Sequence, residues 1–165
     1  MSFPQIVAGM AVTSALLQSM LPLTAVKSAD TARSLTTTLT ADPALTVTVV
    51  PNATYQMYVS LLYKGNTTNA GDLKFGFTQL TGASLAGGFL GITNPLGLYI
   101  VPVTATSTLV SYSNGTSNPL WCQVSATLVT TSGGGTFALL WAQNTSNATA
   151  TTLMAGSSMS LRRTS

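Results

Sequence analysis

The chain of 165 residues has no histidine and no glutamate, a single cysteine, and so few charges that they make up 5% of it. Each scarcity excludes something. Without histidine the commonest general base is missing, and Asp30, Asp42 and Asp72 are the only carboxylate side chains. A nucleophilic Ser157 after Gly156 would have no base to activate it, and it does not sit in a strand-to-helix elbow. Zinc needs clustered cysteine or histidine and calcium needs several carboxylates, so no metal site and no cofactor is expected. The residues do not read as an enzyme. Cys122 has no partner for an intrachain disulfide, and its place in an alternating strand marks it as a small buried hydrophobe, not a reactive thiol.

The charges that are present do not form a basic face. Lys27, Arg33, Lys64, Lys74, Arg162 and Arg163 outnumber the three aspartates to give a net +3, but only Arg162 and Arg163 are adjacent. Nucleic-acid binding, which needs several phosphates neutralised together, is not expected. The first 26 residues carry no charge at all. They lack the basic start and small-residue cleavage site of a signal peptide. Gln5, Thr13, Ser14, Gln18 and Ser19 interrupt them, and Pro4 and Pro22 bracket them, so membrane insertion is not expected either. The stretch reads as a retained arm that packs on a partner.

An ordinary soluble domain is about one quarter charged. A chain this poor in charge and 45% hydrophobic is weakly protected against association, so much of its surface is expected to be covered by other subunits. Its length suits one domain with a real core.

Within the arm, Thr13 is placed to cap a short helix, with Val12, Leu16 and Met20 on one face, Leu17 and Leu21 on a second apolar edge, and Pro22 ending it. Beyond it the period becomes two. Residues 34–40 are Thr-rich and suit an edge strand, Asp42-Pro43 is a turn signal, and Leu45, Val47 and Val49 alternate as a half-buried strand. Tyr55, Met57, Val59, Leu61 and Tyr63 form the longest alternating set and should cross the centre of a sheet. The polar loop from Gly65-Asn66 through Asn69-Ala70-Gly71, followed by Leu73, Phe75 and Phe77, reads as a hairpin or close return.

The stretch 82–97 holds five glycines, too many for a regular strand, yet it carries Leu85, Phe89, Leu90 and Ile92, which suggests a loop surface that something covers. Tyr99, Val101 and Val103 resume the strand pattern, with Pro102 favouring an edge. After a turn at Ser113-Asn114-Gly115, the run Leu120, Cys122, Val124, Ala126 and Leu128 is another strand. Gly133-Gly134-Gly135 reads as a hairpin turn into Phe137, Leu139 and Trp141, and Met159 with Leu161 closes the sheet. About eight strands without crossover helices give a mainly β fold, an antiparallel jelly-roll-like β-sandwich over 31–165 with an N-terminal arm over 1–30.

Tyr58 and Trp121 fall on the polar parity of their strands, as do Leu62 and Leu140, which makes them candidates for subunit contact. With Phe89 and the arm residues Val12, Leu16, Leu17, Met20 and Leu21 they form the expected interface set. The aromatics Tyr58, Tyr63, Tyr99, Tyr112, Trp121 and Trp141 could stack on sugar, but their strand spacing favours core or intersubunit packing. Sequons at Asn52, Asn66, Asn114, Asn144 and Asn147 follow from a composition rich in Thr, Ser and Asn.

The end of the chain adds a resemblance. The run Thr136-Phe137-Ala138-Leu139-Leu140-Trp141-Ala142-Gln143 leads into Asn144-Thr145-Ser146-Asn147-Ala148-Thr149-Ala150-Thr151-Thr152-Leu153 and closes on Ala155-Gly156-Ser157-Ser158-Met159-Ser160-Leu161-Arg162-Arg163. With Phe3-Pro4-Gln5-Ile6-Val7-Ala8-Gly9, Thr13-Ser14-Ala15-Leu16-Leu17, Ser19-Met20-Leu21-Pro22, Thr36-Thr37-Thr38-Leu39-Thr40-Ala41-Asp42-Pro43 and Asn52-Ala53-Thr54-Tyr55, it resembles minor tail and virion structural proteins of actinobacterial (Streptomyces-phage-type) phages. The middle, about 81–118, has no match. The resemblance implies a jelly-roll-like sandwich, often a homotrimer, in the virion, contacting other virion proteins or the host. A tail-tip, fibre or spike element attached through the arm is the first expectation. A capsid decoration protein, or a module binding a host cell-surface glycan, are the alternatives.

Overall fold

The run from Tyr55 to Tyr63 does what its period of two requires: it becomes the middle of a sheet, with one side of the strand buried. A computed structural model describes residues 6–65, 72–93 and 96–165. Among them are one helix, α1 (Ser14–Met20), and twelve strands. The strands are β1 (Leu23–Val26), β2 (Thr31–Arg33), β3 (Thr40–Val49), β4 (Ala53–Lys64), β5 (Leu73–Phe77), β6 (Ser84–Thr93) and β7 (Gly97–Thr104). They continue with β8 (Leu109–Ser111), β9 (Leu120–Thr130), β10 (Gly135–Gln143), β11 (Thr151–Leu153) and β12 (Ser158–Arg163).

All pairings are antiparallel. The larger, eight-stranded sheet runs β1-β12-β4-β9-β6-β7, with β11 beside β4 and β2 beside β11; the four-stranded sheet runs β3-β10-β5-β8. The two pack face to face as an antiparallel β-sandwich: Phe75 of the smaller sheet meets Phe89 of the larger edge-on at 5.2 Å between ring centres. Leu45, Val59, Leu61, Tyr63, Leu73, Leu139 and Trp141 fill the layer between them without exposure.

The chain changes sheet at most connections. β3 leaves the smaller sheet through Val50-Pro51-Asn52 to enter β4 in the larger. Asn52 takes a left-handed φ of 51° there, and Thr130 secures the step by donating to the Val50 carbonyl (2.7 Å) and accepting from the Ala53 N–H (3.0 Å). Two expected hairpins are therefore corrected. β5 pairs β10 and β8, not β4, and Gly133-Gly134-Gly135 carries the chain from β9 in one sheet to β10 in the other. Alternation marks a strand as half-buried but does not say which sheet it joins. The loop expected between β4 and β5 lies, from Asn66 to Gly71, outside the described residues.

The glycine-rich stretch is also a correction, because β6 is a regular ten-residue strand between β9 and β7. A Cβ at Gly87 would run into the Ser125 carbonyl oxygen and the Ala126 backbone, and one at Gly91 would strike the Phe89 and Tyr99 rings. These glycines let strands and rings approach closely inside a strand, and they do not mark a loop. Conversely, the edge strand expected at 34–40 does not form. β2 ends at Arg33, Leu35 turns left-handed at φ 55° and donates to the Asn147 carbonyl, and strand resumes at Thr40.

Thr13 caps α1 as its hydroxyl suggests, accepting from the Leu16 N–H at 3.2 Å. Downstream, Leu23–Val26, within the stretch read as an arm, pairs with β12 from Leu23 opposite Leu161 to Val26 opposite Ser158. Four residues alternate there too, but the flanking Pro22 and the uncharged run before it hide so short a strand.

Candidate surfaces and a groove at the loop end

Strands β9, β6 and β7 lie side by side and contain no charged residue. Their inward side chains, among them Cys122, Val124, Phe89 and Val103, belong to the core. Their outward side chains are uncharged but mixed, with polar Gln123, Ser125 and Thr127 on β9 and a group of apolar residues toward one end. Leu98 stands opposite Ile92, Ile100 opposite Leu90, and Leu90 opposite Gln123, with Trp121 two residues along β9. Ile100 is 76% exposed, Leu98 66% and Trp121 42%. Among the described residues β7 pairs only with β6, which leaves its outer edge open there, with Pro102 as its one residue lacking an N–H.

The expected interface residues do not form one patch. Tyr58, exposed, and Leu62, half-buried and opposite Trp121, lie on the outward side of the larger sheet. Leu140 is half-buried on the outward side of the smaller sheet, opposite Gly76 and Ala41. Phe89 is a correction: it is fully buried, with Phe75 and Tyr99 packed edge-on against its ring, and offers nothing to a partner. In the arm, Val12, Leu17 and Leu21 are exposed, as are Ile6, Val7 and Met10, while Leu16 and Met20 are half-buried. Gln18 and Leu21 close one side of a small cavity of about 170 Å³ whose other walls include Leu23, Thr48, Val50, Tyr55 and Arg163.

A second concavity, of about 300 Å³, opens where connections from both sheets meet, lined by Asp72, Ile92, Thr93, Tyr99, Val110, Tyr112 and Asn144. Its walls are fixed from behind. The Tyr63 hydroxyl donates to the Ser111 hydroxyl (2.7 Å) and the Tyr112 carbonyl (2.6 Å), and the Ser111 hydroxyl oxygen accepts from the Ile92 N–H (3.0 Å). Tyr112 N–H donates to the Ile92 carbonyl at 2.9 Å, joining the strand end after β8 to the opposite sheet. Tyr99 donates its hydroxyl to the Val110 carbonyl. Asn144 N–H donates to the Asp72 carbonyl at 2.9 Å, setting those two residues side by side.

Asp72 is buried, and its Oδ1 accepts from the Ser113 N–H at 3.0 Å. Burial pushes its carboxyl above the usual carboxylate range, and the Ser113 hydrogen bond offsets only part of that. Among the described residues it forms no ion pair.

The other aspartates sit elsewhere than the sequence suggested. Asp30 accepts from the Ala155 N–H at 2.9 Å and forms no ion pair among the described residues. Asp42, expected as a simple turn residue, is wholly buried and holds Lys27 in an ion pair at 2.9 Å. The Trp141 indole N–H (3.0 Å) and the Ala44 N–H (2.9 Å) also donate to it. Ser157 is buried against Leu62, whose N–H donates to its hydroxyl oxygen at 3.0 Å. Cys122 is buried, and burial raises its thiol pKa despite a hydrogen bond from Ser111. No cluster of three or more potential metal ligands and no helix long and apolar enough to cross a membrane occurs among the described residues.

No family model matches the chain, and no curated protein matches it. Two solved structures of infectious bursal disease virus, of the Gx and Gt strains, are similar to it at 7% identity, with TM-scores of 0.27 and 0.21. Each alignment covers 87% of this chain and 40% of the viral chain, so the chain spans about two fifths of the length of what it matches. A likeness of that size carries no argument about fold or function.

Proposed function

We propose that the protein is a non-enzymatic virion structural component that works as a closed homo-oligomer. The observation that carries this reading is the uncharged outward face of β9, β6 and β7, with Leu98, Ile100 and Trp121 exposed beside an open sheet edge. A free monomer seldom presents a large apolar area, and an unpaired edge next to one invites association; covering both with a second copy removes the hazard. Closed symmetry keeps the contact from growing into a filament. The resemblance to minor tail proteins of actinobacterial phages gives the proposal its specific form: a tail-associated trimer, attached through the apolar segment that includes Val12, Leu17 and Leu21.

Sedimentation and native mass measurement of the full chain test the assembly. A closed oligomer is expected, and Ile100→Lys should return a monomer with unchanged β circular dichroism. A natural chain that stays monomeric at high micromolar concentration overturns the proposal. Cross-linking in intact particles tests the location, with tail proteins as the expected neighbours and head proteins as the result that replaces tail by capsid decoration.

A further inference from the structure

We infer that the groove between Asp72, Asn144, Tyr99 and Tyr112 is a binding site for a single pyranose ring. The volume of about 300 Å³ exceeds that of one sugar ring and is too small for an extended polymer segment to be enclosed. The chemistry of the walls selects the ligand. Asp72 spends one carboxylate oxygen on the Ser113 N–H, which leaves its other oxygen as an acceptor for a ligand hydroxyl, in a place where burial strengthens such a charge-assisted bond. Asn144 lies beside it through the backbone bond between the two residues, and its amide both donates and accepts. Neighbouring hydroxyls on a ring offer that same mixture of donors and acceptors. Ile92, Val110 and the tyrosine rings supply the apolar surface that the C–H face of a sugar covers.

Other occupants fit less well. A calcium ion takes six to eight oxygens, usually with several carboxylates, and this groove has one carboxylate. An organic ammonium brings donors only and would leave the donor half of the Asn144 amide unused.

The site is also built before any ligand arrives. Tyr63, buried in the core, fixes Ser111 and Tyr112; Ser111 fixes Ile92; Ser113 fixes Asp72; and Tyr99 is held by Val110 and packs edge-on against Phe89 at 5.6 Å. Polar groups held in this way lose little freedom on binding, which favours a weak but specific ligand. The inference does not rest on the assembly proposed above, because every lining residue comes from one chain.

The experiment is a chemical-shift titration of the full-length protein with millimolar glucose, galactose, mannose and N-acetylglucosamine, with butylammonium as a separate arm. At least one sugar should give saturable shifts at the amides of Asp72, Thr93, Tyr112 and Asn144. Asp72→Asn, which keeps an oxygen for the Ser113 N–H, should weaken that binding about tenfold, the scale of one charge-assisted hydrogen bond. Asn144→Ala should also weaken it, with the melting temperature of both variants recorded as a check on folding. Silence with every sugar overturns the inference, as does binding that Asp72→Asn leaves unchanged, or saturation by butylammonium alone. Repeating the titration on Ile100→Lys separates the two proposals, since the groove should bind equally well in the monomer.

Discussion

Lys27 Nζ stands 2.9 Å from Asp42 Oδ2, with the two side chains 3% and 0% exposed. The pair joins the segment after β1, in the larger sheet, to β3, in the smaller one. Around it, Lys27 also donates to Thr31 (2.7 Å), and Trp141 adds its indole N–H to Asp42. Arg33 lies over the Trp141 ring at 4.1 Å while its guanidinium donates to the Thr40 and Ala41 carbonyls. Three of the nine charges in the chain meet at this seam, so it concentrates what little electrostatic design the protein has.

Removing one partner should cost far more than removing both. Lys27→Met leaves a buried aspartate without its cation and is expected to lower stability by about 3–5 kcal/mol, whereas Lys27→Met with Asp42→Asn should recover much of that loss. Urea denaturation of the two variants checks it; equal losses would show that the pair is not a coupled unit.

The two buried aspartates should answer pH in opposite directions. Burial alone would raise the Asp42 carboxyl, but the Lys27, Ala44 and Trp141 hydrogen bonds and the Lys27 charge outweigh it and hold it below the ordinary value. Its contribution is present above the unfolded pKa and is lost as pH falls through the folded one. Asp72 is raised, so its ionisation opposes folding and stability falls as pH climbs from the ordinary carboxylate value through the raised one. Asp72→Asn should remove that decline and leave the acid loss due to Asp42. Melting temperature against pH for the two asparagine variants separates the effects.

Adjacent glycines in β6 should differ sharply. A methyl at Gly87 would overlap the Ser125 carbonyl and the Ala126 backbone, so Gly87→Ala is expected to cost 3 kcal/mol or more, about the overpacking limit. A Cβ at Gly88 meets only Ile100 Cγ2 at 3.9 Å, and Gly88→Ala should stay within about 0.5 kcal/mol of the natural chain. Thermal melts of both would decide it.

Cys122 should resist thiol reagents in the folded protein. Burial raises its pKa and leaves no thiolate to react, so Ellman's reagent should label it only at the rate of unfolding. Fast labelling in native buffer would contradict the packing of β9.

Removing residues 1–21 should spare the sandwich, because β1 begins at Leu23 and keeps its pairing with β12. Circular dichroism should show full β content, while recruitment into particles is lost. Extending the cut through Val26 should destabilise the sheet as well, since it strips the strand bonded to β12.

The strands that carry the fold were readable where one side is buried and the other wet. Tyr55 to Tyr63 and Leu120 to Leu128 alternate cleanly, and both proved to be neighbouring inner strands of the larger sheet. Sheet membership was not readable, since Phe75 and Phe89 look alike in sequence and belong to opposite layers. In β7, Leu98 and Ile100 alternate with Tyr99, Val101 and Val103, so both parities are apolar. That double pattern was the available sign of the outward face. The Asp72 groove could not be foreseen, because Asp72, Ile92, Tyr112 and Asn144 are brought together only by connections that cross between sheets.

The pairing of β1 with β12, Leu23 against Leu161, also governs when the molecule can be made. As the ribosome delivers the chain, β4 must wait for β9 and β12, and β3 for β10, so the first half emerges without the strands that shelter its greasy side. The sandwich cannot close until β10 and β12 have emerged, and a nascent chain stalled before Trp141 should be a substrate for chaperones and proteases, not a half-built domain.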